Sequence, residues 1–245
     1  MNYSDLISLL EIILLAGVFV FLFRFVFYNY TSKVRKPAAW IQAIKDGQVS
    51  SELIRAERRY SDRIRFYSIW LQTNRIKKDH IPGEIAELGV YKGETARILH
   101  LCFPDRKLHL FDTFEGFPAE DLIGETGKAA GYTSQHFADT SQAKVREHIN
   151  GNENVLFHKG YFPGSTNDLT DLSFAFVSMD ADLSNPTKAG LEFFYPRLSE
   201  GGIILIHDYN SDWPELSRVV DEFCIHNKAI LIPLPDADST VMIVK

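Results

Sequence analysis

The sequence predicts an α/β fold, a doubly wound sheet of mostly parallel strands, behind one N-terminal helix long enough to span a membrane. Three observations carry this expectation. From Gly83 onward, short apolar runs alternate with stretches of helical spacing, the pattern of successive β–α–β units. The last two apolar runs, "AILIPLP" and "TVMIVK", have only the turn "DADS" between them. They should pair as a hairpin and bring an antiparallel strand into the sheet. Residues 6–28, "LISLLEIILLAGVFVFLFRFVFY", carry only two charges, Glu11 and Arg24.

As a helix, residues 6–28 would be about 35 Å long, against a bilayer core of about 30 Å. Both charges lie away from the centre, and Arg24 can snorkel outward. The segment has neither a basic n-region nor a small-residue cleavage site, so it does not read as a signal peptide. The alternative is an apolar helix packed on the domain. Asp5 and Glu11 stand at the start, while Arg24, Lys33, Arg35 and Lys36 follow. The positive-inside rule then leaves the rest of the chain in the cytoplasm, as a single-pass membrane protein. The sequon Asn29-Tyr30-Thr31 falls on the wrong side for glycosylation and is read as chance.

Residues 1–30 are therefore expected as a membrane anchor, 31–80 as a basic linker and helical lid or cap, and 81–245 as the sheet domain. In the second segment Arg55, Arg58, Arg59, Arg63 and Arg65 alternate with apolar residues such as Phe66, Ile69 and Trp70. That face is either solvated above a core stripe or rests on anionic headgroups. The strands to come are "GEIAELGV", "KLHLFDTF", "VLFHKGYF", "FAFVSMDAD" and "GGIILIHDYN", followed by the hairpin. Helical spacing marks "GETARILHLCF", "SQAKVREHIN", "TKAGLEFFYPRL" and "PELSRVVDEFC". The polar stretch 115–140 is either part of a lid, with Tyr132 and His136 facing substrate, or a solvated loop.

The 245 residues carry a net charge of −6, which argues against a nucleic-acid partner. Cys102 and Cys224 are far apart and form no CxxC pair, so a zinc ribbon or redox motif is unsupported.

Ligands of doubly wound sheets bind beyond the carboxyl ends of the strands. Here those ends carry Glu87, Gly89 and Gly93; Asp112; Gly160 and Tyr161; Asp180 and Asp182; and His207 with Asp208. The fold needs acids at few of these places. "ELGVYKG" lacks the G-x-G-x-x-G dinucleotide fingerprint, and Glu87 stands where a pyrophosphate would sit. Asp112, about 20 residues past the glycine turn, is placed to take ribose hydroxyls. Together they point to an adenosine-type ligand without phosphates.

"PGEIAELGVYKGETA", "LFDTFEGFP", "GYFPGS", "MDADLSNPTKAGLEFFYPRLSEGG" and "IHDYN" resemble, in order, the motifs of the TylF/MycF family of O-methyltransferases. The resemblance implies a class I methyltransferase fold, S-adenosyl-L-methionine as donor and a divalent metal, magnesium in the family. It places Glu87, Gly89, Tyr91 and Gly93 under the methionine part. Asp112 and Thr113 would lie at the ribose, and Asp139, Ser141, Gly160 and Tyr161 near the adenosine. Asp180 becomes metal ligand and base, and Asp208 a second ligand. The best-known members have two aspartates where this chain has His207-Asp208. His207 is thus a ligand, a base or an outer group, and Asp182 a ligand, a helix cap or the partner of His207. An imidazole favours transition metals over magnesium. The implied acceptor is a sugar or natural-product hydroxyl, on a small molecule or glycan, and the apolar helix hints at a lipid-linked one. A homo-oligomer fits the resemblance.

The chemistry suits these residue types. A hydroxyl is a weak nucleophile at neutral pH; a cation lowers its pKa and a carboxylate or imidazole removes the proton. Two other classes fit the sequence less well. A nicotinamide-dependent oxidoreductase needs the missing fingerprint. A non-catalytic membrane-tethered scaffold gains nothing from clustered acids that cost stability when buried unpaired.

Overall fold

The computed structural model describes residues 3–31, 35–166, 169 and 171–245. It divides into two compact units, Met1–Ala38 and Ala39–Lys245. The first is the helix α1 (Tyr3–Thr31). Within it Ile7–Phe27 is long and apolar enough to cross a bilayer, and none of it is buried. Phe21 and Phe25, like Phe23 and Phe27, stack one turn apart. Lys33, expected to open the basic linker, lies outside the described residues.

The second unit begins with α2 (Ala38–Lys45), α3 (Ser51–Arg59) and α4 (Arg63–Lys78). The division falls after Ala38, not near residue 80. Trp40, Phe66, Ile69 and Ile76 are fully buried in the same cluster as Ile85, Phe176 and Leu205 of the sheet. The segment expected as linker and cap therefore forms one side of the domain core. The Trp40 ring meets Phe66 and Trp70 edge-on, at 5.3 and 5.0 Å between centroids.

The sheet is built from β1 (Glu84–Leu88), β2 (Leu108–Asp112), β3 (Val155–Lys159), β4 (Phe174–Met179), β5 (Leu198–Ile206), β6 (Leu231–Pro233) and β7 (Val241–Val244). Helices α5 (Glu94–Cys102), α6 (Gln142–Ile149), α7 (Ser184–Arg197) and α8 (Pro214–Asn227) separate its parallel strands and its hairpin. The strand order is β3-β2-β1-β4-β5-β7-β6. β1 through β5 run parallel, and β7 lies antiparallel between β5 and β6. β4 is buried along its whole length, as a central parallel strand covered on both faces must be.

Lateral bonds continue one residue past the strand ends. Gly89 N donates to Phe111 O (3.0 Å), Asp180 N to Leu88 O (2.8 Å), His207 N to Met179 O (2.9 Å) and Gly160 N to Asp112 O (3.0 Å). These bonds bring Gly89, Asp180, His207 and Gly160 to one edge of the sheet. The edge straddles the point between β1 and β4 where the strand order reverses.

Candidate active site

A cavity of about 660 Å³ opens along that edge, within the usual range for small-molecule sites. Of the residues expected to hold the donor, Glu87, Gly89, Tyr91, Asp112, Gly160 and Tyr161 line it, as does Thr113. Asp180, His207 and Asp208 line it too. Gly93 stands just outside, with φ +82°, at the N-terminus of α5. Asp139 and Ser141 are not brought to the cavity. Asp139 pairs with Lys92 at 2.6 Å on the exposed surface, and the Ser141 hydroxyl caps α6 by accepting from Lys144 N. Both side chains already have a role that draws them outward.

The first turn is set by close contact. Gly89 has φ +81°, and a Cβ there would lie 2.0 Å from Asp180 O. Only glycine permits that backbone approach. Val90 N and Tyr91 N then donate to Asp112 Oδ2 at 2.7 and 2.9 Å, and Phe114 N to Oδ1 at 2.6 Å. A carboxylate offers about four lone-pair sites. Three are taken, which leaves about one for a ligand hydroxyl where the sequence suggested a bond to each of two.

Glu87 is 2 % exposed, and its Oε2 has no hydrogen-bond partner. Burial, then the nearby Asp180 charge, push its carboxyl well above the ordinary value. Such an acid weakens the folded state as pH rises above its unfolded pKa of about 4.3. At pH 7.5, Glu87→Gln should raise the melting midpoint of the ligand-free protein by about 2–4 °C. The same variant should bind S-adenosylhomocysteine more weakly. A lowered midpoint in a calorimetric scan would show that the carboxylate is satisfied after all.

The centre of the site is a knot of charge. His207 Nδ1 lies 3.0 Å from Asp180 Oδ1 and 3.1 Å from Asp208 Oδ2. Neither oxygen lies along the ring N–H direction, so Nδ1 is buried without an aligned hydrogen bond. These contacts are ion pairs by distance alone. Burial would lower the imidazole's pKa, but Asp180 and Asp208 outweigh it and push it up to about 10. Arg65 closes the other side, with Nη2 2.9 Å from Asp180 Oδ2. Burial raises the Asp180 carboxyl, yet Arg65 and His207 hold it well below the carboxylate range. Burial and the Asp180 charge push Asp182 well above that range, and burial raises Asp208. Asp182 accepts from the Tyr132 hydroxyl at 3.3 Å; Leu183, not Asp182, stands at the N-cap of α7, which has no side-chain cap.

Arg65 is the site residue that neither reading of the basic face anticipated. It sits on α4, whose start is capped by Asp62, accepting from Ile64 N and Arg65 N at 2.8 and 2.9 Å. Its guanidinium turns inward rather than to solvent or headgroups. Arg63 likewise pairs with the buried Glu57 at 2.7 Å.

The loop 115–140 walls one side of the cavity and is bonded to the rest of the domain. Glu125 accepts from Ser184 N and Oγ at 2.7 and 2.6 Å. Lys128 N donates to Asp212 O at 2.8 Å. Phe117 and Phe137 face the cavity and meet edge-on at 5.3 Å, while Phe137 also packs on Tyr91. Tyr132 and His136 lie behind them, Tyr132 stacked on Phe117.

Donor atoms of Asp180, His207 and Asp208 all lie within 4.8 Å of one another. Two carboxylates, an imidazole nitrogen without an aligned partner and a third acid nearby suit a divalent cation. The buried, unpartnered Glu87 suits the cationic end of an amino-acid-bearing ligand.

A family model described as macrocin-O-methyltransferase (TylF) matches residues 61–245. Demethyldecarbamoylnovobiocin O-methyltransferase of Streptomyces niveus is 27 % identical over 156 residues, 59 % of this chain and 59 % of its own. Mycinamicin III 3''-O-methyltransferase of Micromonospora griseorubida is 28 % identical over 145 residues, 54 % of this chain and 57 % of its own. The chain thus spans under two thirds of these relatives' lengths. Among solved structures, the O-methyltransferase NovP superposes with a TM-score of 0.66 at 24 % identity, covering 75 % of this chain and 80 % of its own. A calicheamicin methyltransferase gives 0.58 at 23 %, covering 73 % and 79 %.

Proposed function

The chain belongs to the macrocin-O-methyltransferase (TylF) family, and on that premise we propose that it transfers a methyl group from S-adenosyl-L-methionine to a hydroxyl. The acceptor is a sugar or other natural product, and a divalent ion, magnesium in the first instance, assists. The observation that carries the reading is the convergence of Asp180, His207 and Asp208 in the same cavity as the Gly89 turn.

Glu87, Gly89, Tyr91, Asp112 and Tyr161 would hold the donor, and Asp180, His207 and Asp208 the ion. When bound, the donor supplies an electrophilic methyl with its own leaving group, and the ion lowers the pKa of a hydroxyl. The chain supplies the rest. Arg65 keeps Asp180 ionised and turned into the cavity. Phe117, Phe137 and Tyr91 exclude water above the donor turn. Asp180 is the group positioned to take the acceptor's proton. With methyl-labelled donor and membrane extracts, mass spectrometry should find a labelled product. Asp208→Ala should abolish that product while S-adenosylhomocysteine binding persists. Loss of binding alone would mean that Asp208 serves the donor instead.

We further propose that α1 anchors the protein in a membrane with the domain in the cytoplasm. Its support is the length and apolar character of Ile7–Phe27 and the basic residues that follow. Deleting residues 1–34 should move the protein from the membrane to the soluble fraction. An unchanged distribution would contradict the anchor.

A further inference from the structure

We propose that Asp238, in the turn joining β6 to β7, orients His207 as a metal ligand by engaging the far nitrogen of its ring. The inference rests on the metal-assisted reading above. It concerns a residue that neither the motifs nor the strand ends pick out.

His207 lies between two sets of acids. Its Nδ1 faces Asp180 and Asp208, at 3.0 and 3.1 Å. Its Nε2 faces Asp238 Oδ2, at 3.7 Å. A neutral imidazole carries one proton, and the nitrogen that bears it has no lone pair for a cation. With Nδ1 turned into the donor cluster, the proton belongs on Nε2, toward Asp238. A carboxylate behind a metal-binding histidine fixes the tautomer and the ring plane and makes the ligand nitrogen more basic.

The spacing is that of an ion pair, longer than a hydrogen bond of about 2.9 Å. The side chain can close it. Asp238 is 52 % exposed, and among the described residues its carboxylate makes no other hydrogen bond or ion pair. Its backbone is held in place. Asn210 Nδ2 donates to Asp238 O at 3.1 Å, and Tyr209 N to Ser239 O at 3.2 Å. Ala237 N donates to Asp62 Oδ2 at 2.7 Å. Asp62 also caps the helix that carries Arg65, and Tyr209 and Asn210 directly follow His207-Asp208. The turn is therefore tied to both segments that build the cluster. Its shape does not need an acid at 238, because Asp236 supplies the side-chain cap, accepting from Thr240 N at 2.6 Å.

The test is Co²⁺ titration of the detergent-solubilised, chelator-stripped full chain, read by calorimetry and by visible absorption of the bound ion. Asp238→Ala should weaken Co²⁺ binding about 10–100-fold and shift the absorption, with S-adenosylhomocysteine affinity unchanged as the check on folding. Asp238→Asn, which keeps an acceptor for the Nε2 proton, should recover most of the loss. In a His207→Asp background, where there is no ring to orient, Asp238→Ala should not weaken binding. Wild-type affinity and spectrum in Asp238→Ala would overturn the proposal and leave the metal reading standing. An equal loss in the His207→Asp background would overturn it too, since Asp238 would then act through its charge alone. If the wild-type chain binds no Co²⁺, the metal reading itself fails, and the proposal with it.

Discussion

Gly89→Ala should destabilise the domain by about 2–5 kcal/mol and remove S-adenosylhomocysteine binding. Two penalties add. A non-glycine residue at φ +81° pays about 1–2 kcal/mol for the left-handed backbone. Forcing a methyl into packed surroundings adds about 1–3 kcal/mol. Here the obstacle is backbone, with Asp180 O 2.0 Å and Asp180 C 2.6 Å from the added carbon. Neither side can yield easily, because Gly89 N is bonded to Phe111 O and Asp180 N to Leu88 O. Whatever relaxation occurs must move Asp180, which carries the contacts to Arg65 and His207. Gly131→Ala is the control: nothing lies within 4 Å of a Cβ there, and the change should stay within about 0.5 kcal/mol. Denaturant melts and calorimetric titration check both. A Gly89→Ala protein that binds as tightly as wild type would show that the turn does not cradle the donor.

Arg65→Met is the second large effect. It keeps much of the side-chain volume and removes the cation. Breaking one partner of a buried pair costs about 3–5 kcal/mol. Asp180 retains His207 and 26 % exposure, so the lower end applies, about 3 kcal/mol and a midpoint lower by about 6–12 °C. Methyl transfer should be lost along with it, as Asp180 is no longer held ionised and oriented. Arg65→Met combined with Asp180→Asn should regain most of the stability and none of the activity. The sign of the pH dependence follows from the depressed Asp180 carboxyl. Its contribution is present above the unfolded pKa of about 3.9 and fades as pH falls through the lower folded value. With chelator present, the gap between wild type and Arg65→Met should be full at pH 7 and shrink below about pH 4. A gap that widens in acid would place the favourable contact elsewhere.

Much of this site could be read along the chain because its parts are local. "IILIHDYN" shows a doubly buried strand that ends in two ligand-type side chains, and "FVSMDAD" shows the same on the neighbouring strand. Parallel pairing alone then puts Asp180 beside His207. Gly89 is legible for the same reason, since a glycine turn after a buried strand signals close backbone approach. What escaped depends on tertiary docking. Arg65 looks like its neighbours on α4, and spacing tells which face a residue shares but not what that face meets. Asp238 lies in a hairpin turn with nothing nearby to single it out; its role arises from the insertion of β7 against β5. Asp139 and Ser141 lie near a motif in sequence, yet Lys92 and the α6 terminus claim their side chains. In residues 38–78 the apolar stripe of Phe66, Ile69 and Trp70 is legible as core-facing, but not that it joins Trp40 in the core of the sheet instead of forming a separate cap.

On the proposed function, the cavity under the Gly89 turn is a methyl-donor site. Calorimetric titration of the solubilised full chain with S-adenosylhomocysteine tests it most directly. The expected result is one molecule bound per chain, with affinity reduced by Glu87→Gln and by Asp112→Ala. A folded protein that takes up no S-adenosylhomocysteine, or that binds it equally well with both residues replaced, would contradict the account.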